Sequence, residues 1–77
     1  MKIQIQKEIK KLADYYDQSI TEFLTTNFVK AVDSTKFYEL DQLITFDDGK
    51  NYYTRSDLEC LYIDSMYEIR TENYLSS

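Results

Sequence analysis

The side chains in this sequence able to do chemistry are almost all carboxylates. Fourteen aspartates and glutamates stand against nine lysines and arginines, with no histidine, one cysteine and one glycine among 77 residues. Paired carboxylates can work as acid and base on a glycoside or an ester, but only in a cleft that drives their two pKa values apart. A chain this short has little interior for such a cleft. The missing histidine removes the usual general base, the usual activator of a nucleophile and the commonest zinc ligand. Cys60 has no basic neighbour in sequence to lower its thiol pKa, and reads as a small, partly buried side chain. A single glycine permits neither a phosphate-cradling loop nor a dinucleotide-binding turn. The expectation is a non-enzymatic chain with no metal and no cofactor.

Asp47-Asp48-Gly49 invites a calcium reading, which the spacing defeats. With Gly49 at the sixth position of a calcium loop, Ile44 and Phe46 would occupy the first and third liganding positions and Arg55 the twelfth. The acidic tip is better read as a hairpin turn, since Asp-Gly suits two consecutive residues of positive φ.

A more regular array lies further on. Asp64, Glu68 and Glu72 recur at i, i+4 and i+8 and, with Asp57, fall within a sector of about 80° on a helix. Successive carboxylates of the triplet would be about 6 Å apart along the axis. Like charges at this spacing oppose helix formation, so stability alone does not explain the row. Such a row, beside the amphipathic rings of Tyr67 and Tyr74 off the apolar face, can meet arginines of a basic protein surface by bidentate pairing and stacking. A solvated helix face that keeps the protein soluble is the plainer alternative.

The net charge of −5 is unevenly placed. Residues 1–12 carry four lysines and Glu8, a net of +3, whereas residues 13–77 carry a net of −8. So acidic a surface repels nucleic acid over most of its area and suits a basic partner. The lone cysteine gives no sign of an oxidising compartment. No membrane span and no signal-peptide pattern is present, so the expected location is the cytoplasm.

The elements that must position these residues follow from periodicity. Residues 4–17 set Ile5, Ile9, Leu12, Ala13 and Tyr16 on one helical stripe, although the first six residues also alternate as a strand would. Ser19-Ile20-Thr21-Glu22 is a capping box, opening a second helix along Ile20, Phe23, Leu24, Phe28 and Ala31 to about residue 32. Asp33-Ser34-Thr35 offers another cap before a short third helix carrying Phe37, Leu40 and Ile44. Strands Leu43–Phe46 and Asn51–Thr54 flank the Asp-Gly turn, with Ile44 opposite Tyr53 and Asp47 opposite Lys50 as a charge pair. A second capping box at Ser56–Glu59 opens a last helix with Leu58, Tyr62, Met66 and Ile69 inward, fraying near Tyr74. The expected fold is a single α+β domain: two amino-terminal helices, a short third helix, one β-hairpin and a carboxy-terminal helix on one small core. A two-stranded ribbon is marginal alone, so it must lie against the helices.

Two resemblances bear on function. Leu12-Ala13 followed by Ser19-Ile20-Thr21-Glu22-Phe23-Leu24, within residues 9–32, resembles the helical part of ribbon-helix-helix regulators and antitoxins. That likeness implies a DNA-binding dimer whose strand residues Lys2, Gln4 and Gln6 would read bases. The chain departs from it in its short leading strand and in its acidity past residue 12. The whole chain, small, acidic, tyrosine-rich and lacking catalytic residues, resembles phage-encoded inhibitors of the anti-CRISPR and DNA-mimic type. This implies a stoichiometric inhibitor that occupies a basic nucleic-acid channel, such as the PAM-reading groove of a host defence nuclease. Its contact residues would be Asp57, Asp64, Glu68 and Glu72, supported by Tyr67 and by Asp47 and Asp48 at the hairpin tip.

Overall fold

The computed structural model describes residues 4–76, with side chains through Thr71. Three helices and one hairpin enclose a single apolar core. Helix α1 (Ile5–Tyr15) carries Ile5, Ile9, Leu12 and Ala13 into that core, the stripe read from the sequence. Gln4 is its N-cap residue, so the chain is helical from Ile5 onward, while residues 1–3 lie outside the described part. The helix ends in a turn of Schellman type: Asp17 takes φ 56°, its amide reaches Asp14 O, and the Gln18 amide reaches Ala13 O.

Helix α2 (Ile20–Thr26) begins at Ser19, whose hydroxyl accepts the Glu22 amide at 3.1 Å. It stops several residues earlier than its apolar spacing suggests. Phe28 adopts φ 62°, and the amides of Phe28 and Val29 close onto Thr25 O and Leu24 O. An aromatic residue therefore fills the left-handed position that glycine usually takes. The weak helix formers Thr25, Thr26 and Asn27 explain the early end, and Asn27 Nδ2 bonds back to Phe23 O. Phe28 is consequently 90% exposed and does not join the core.

The expected short third helix is resolved into two single 3-10 turns, Thr35–Phe37 and Leu40–Gln42. Ser34 caps the first through the Lys36 amide. Glu39 and Gln42 close a capping box around the second. Phe37 and Leu40, expected inward, are exposed, whereas Ile44 is buried. A 3-10 turn brings residues three apart into register, so the 3.6-residue spacing that placed all three on one face does not hold.

Strands β1 (Leu43–Ile44) and β2 (Tyr53–Thr54) pair antiparallel with Ile44 opposite Tyr53, in the expected register but with only two residues each. Asp48 and Gly49 both take positive φ, 60° and 90°, as an Asp-Gly turn of this class requires. The ribbon is braced from three sides. Gln6 Nε2 donates to Thr45 O at 2.6 Å, the Val32 amide donates to Tyr52 O at 2.8 Å, and Phe46 and Tyr53 pack on the core.

Helix α3 (Arg55–Ser76) follows β2 directly. Its start lies earlier than the Ser56 box suggests: Thr54 Oγ1 accepts the Asp57 amide, and Ser56 is inside the helix. Arg55 Nε reaches Asp41 O, fastening this end to the second 3-10 turn. Among the described side chains of α3, Leu58, Leu61 and Ser65 are buried, with Tyr62, Met66 and Ile69 half-buried. The buried face is thus rotated toward Leu61 relative to the sequence expectation, with Tyr62, Met66 and Ile69 packed along its edge. Phe23, Ile5, Ile9, Leu24 and Leu58 are the largest side chains sealed inside. Burial of each such side chain contributes about 1.5–3 kcal/mol.

Candidate functional site

The acidic residues singled out as contacts separate into two groups on different elements. Asp47 and Asp48 belong to the hairpin tip, which lies beside Ile20, Thr21 and Leu24 of α2. Asp57, Asp64 and Glu68 belong to α3, as does Glu72, whose side chain lies outside the described residues together with that of Tyr74.

At the tip the chemistry is consumed by the turn. Thr45 Oγ1 accepts the amides of Asp47 and Gly49, the latter at 2.9 Å, and donates to Asp47 Oδ1 at 2.9 Å. Asp47 Oδ1 also accepts the Asn51 amide, and Asp47 Oδ2 accepts Asn51 Nδ2 at 2.7 Å. Hydrogen bonds from the Asn51 side chain and amide hold the Asp47 carboxyl below its ordinary pKa of 3.8, because they favour the charged form. The expected Asp47–Lys50 charge pair is not formed: Asn51 and Thr45 take both carboxylate oxygens instead. Asp48 is the exposed carboxylate of the tip.

On α3 the opposite holds. Asp57, Asp64 and Glu68 are exposed, and among the described residues no ion pair or hydrogen bond engages their carboxylates. The ion pair among the described residues, Lys11 Nζ to Glu8 Oε1 at 3.5 Å, is internal to α1. Segregation of charge therefore survives folding among the described residues: Lys7, Lys10 and Lys11 form no ion pair with Asp57, Asp64 or Glu68. Asp57, in the first turn, has a structural reason to be there, since a carboxylate complements the positive end of a helix. Asp64 and Glu68, in mid-helix, have no such reason, and their i, i+4 repulsion costs about 0.2–0.5 kcal/mol. Tyr67 is adjacent on the helix surface and 74% exposed.

A broad open groove runs between the first turn of α1, the second 3-10 turn and the first half of α3. Gln6, Lys7, Tyr38, Arg55, Glu59 and Ile63 are among its walls. It is a surface trough in which carboxylates and cations meet solvent, suited to ionic and hydrogen-bonded contact with another molecule. Among the described residues no cluster of histidine, cysteine or acidic side chains is placed to hold a metal ion. No helix among them is long and apolar enough to cross a membrane.

Gln6, a base-reading strand residue in the ribbon-helix-helix likeness, lies inside α1; Gln4 is its N-cap, and Lys2 is outside the described residues. Cys60 is exposed, where the sequence suggested partial burial. Several exposed apolar residues were not legible as such: Phe28 at 90%, Phe37 at 85%, Leu40 at 88% and Ile63 at 63%. For Ile63 a signal existed, its spacing of three from Cys60 and four from Tyr67, which sets a second lane on α3.

Fold and site together define a small α+β domain with a carboxylate-bearing helix displayed at its surface. No protein-family profile, no curated protein and no solved structure matches the chain.

Proposed function

We propose that this protein is a non-enzymatic inhibitor that binds a basic, nucleic-acid-binding groove of another protein. Asp57, Asp64, Glu68 and Glu72 stand in for phosphates, Tyr67 supplies a stacking surface, and Asp48 extends the acidic surface at the hairpin tip. Asp47 contributes by shaping that tip. The class this fits is the phage-encoded anti-CRISPR type, acting in the host cytoplasm on a defence nuclease.

The observation that carries the reading is the state of Asp57, Asp64 and Glu68: displayed on one helix, exposed, and without a cation of their own among the described residues. Carboxylates left this way retain their full electrostatic reach toward a cationic partner. The test compares the native chain with Asp64→Lys/Glu68→Lys as baits in lysate, with captured proteins identified by mass spectrometry. The expected result is a nucleic-acid-binding protein retained by the native chain, displaced by added DNA, and lost with the double variant. Equal capture by both baits removes the acidic row from the mechanism.

A further inference from the structure

Helix α3 has a second lane that the core does not use. Ser56, Cys60, Ile63, Tyr67 and Arg70 recur at alternating steps of four and three residues, the spacing with which one helix meets another along a seam. All five are exposed, on the side of the helix away from Leu58, Leu61 and Ser65. Ile63 and Tyr67, 63% and 74% exposed, form its apolar middle. A helix that buries one face and displays aliphatic and aromatic side chains on the other is built for two neighbours, and this structure supplies one.

The residues beside the lane define the missing neighbour. Asp57 and Asp64 lie along one flank and Glu59 along the other, the positions that set partner choice when helices pair. All three are exposed and unpaired among the described residues. A parallel second copy of α3 would bring Glu59 against Asp64, and in an antiparallel copy the three carboxylates outnumber Arg70, the one cation in the lane, so like charge disfavours self-pairing. The cationic outer face of α1, with Lys7, Lys10 and Lys11, has no aliphatic residue among its lysines to fill the lane.

We propose that the outward lane of α3 docks a cationic amphipathic helix of a different protein. Ile63 and Tyr67 are the apolar anchors, and Asp57, Glu59 and Asp64 pair with lysine or arginine flanking the partner's own apolar seam. This rests on the proposed function in taking the partner to be basic. It adds that the partner presents a helix with an apolar seam, and not a bare cationic channel.

The test uses three labelled synthetic helices of about three heptads each. The first has leucine on its seam and lysine on its flanks, the second has leucine and glutamate, and the third keeps the lysines but has glutamine on its seam. Fluorescence anisotropy against the full chain is expected to show the first binding about tenfold or more tighter than the other two. Ile63→Asp and Tyr67→Asp, both at exposed positions, should each weaken it by about tenfold with an unchanged circular dichroism spectrum. The chain alone should sediment as a monomer. Equal binding of the two lysine helices, lost with Asp64→Lys/Glu68→Lys but not with Ile63→Asp, would overturn the lane and leave the acidic row standing. Failure of both lysine helices would count against the lane and the basic partner together. A dimer of the chain that Ile63→Asp dissolves would make a second copy the occupant and overturn the proposal.

Discussion

The hairpin tip and the middle of α3 carry the same chemistry and use it in opposite ways. At the tip, Asp47 is surrounded by donors from Thr45 and Asn51, and both of its oxygens are occupied. On α3, Asp64 and Glu68 meet neither cation nor donor among the described residues. The difference teaches that carboxylate count and clustering say little about function. Two adjacent aspartates at a tip are explained by the turn they build. A regular row along a helix with no internal partner is left without a structural explanation, and that residue of unexplained charge points outward.

The largest effect of substitution belongs to the core that supports both regions: Leu58→Ala should cost about 2–5 kcal/mol in urea unfolding, because Leu58 is wholly buried beneath the start of α3. Gly49→Ala should cost about 1–2 kcal/mol. Its φ of +90° disfavours any side chain, and a methyl group there would sit 3.0 Å from Tyr52 Oη. Phe28→Gly should stabilise by about 1 kcal/mol, by relieving a left-handed aromatic residue that buries almost nothing. Asp64→Asn should change stability by less than about 0.5 kcal/mol, since no internal contact is lost. If Asp64→Asn proves as destabilising as the hairpin substitution, the contrast between the two regions fails.

Acid sharpens the same contrast. The folded pKa of Asp47 lies below its ordinary value of 3.8, so its contribution to stability is fully present above that value. It is lost as pH falls through the lower folded value. Thermal melts between neutral pH and pH 2 should show an acid loss in the native chain that Asp47→Asn reduces, with the variant already weakened at neutral pH. An identical acid profile in the two proteins would remove Asp47 from the turn's stability.

What could be read in advance was local. The α1 stripe, the Ser19 cap and the Asp-Gly turn with Ile44 opposite Tyr53 each depend on neighbours a few residues away, and each stands in the structure. What could not be read depended on competition. Ser56 offered a cap for α3, but Thr54 reaches the Asp57 amide first. Phe28, Phe37 and Leu40 matched a helical period, but the left-handed end of α2 and two 3-10 turns broke that period and turned them outward. On α3, apolar residues occur on nearly every face. Periodicity alone therefore could not decide whether Leu61 or Tyr62 was innermost, nor show that Ile63 was left outside. The acidic row was legible as spacing, and the lack of internal partners for the carboxylates of Asp57, Asp64 and Glu68 among the described residues was not.

The central claim is that α3, and not the apolar loops, meets the partner. Hydroxyl-radical footprinting of the chain free and bound to its captured partner tests this directly, because the reactive side chains fall on competing surfaces. The account predicts that Tyr67 and Ile63 lose reactivity on binding while Phe28, Phe37 and Leu40 keep theirs. Protection of Phe28, Phe37 and Leu40 with Tyr67 and Ile63 unchanged would contradict it.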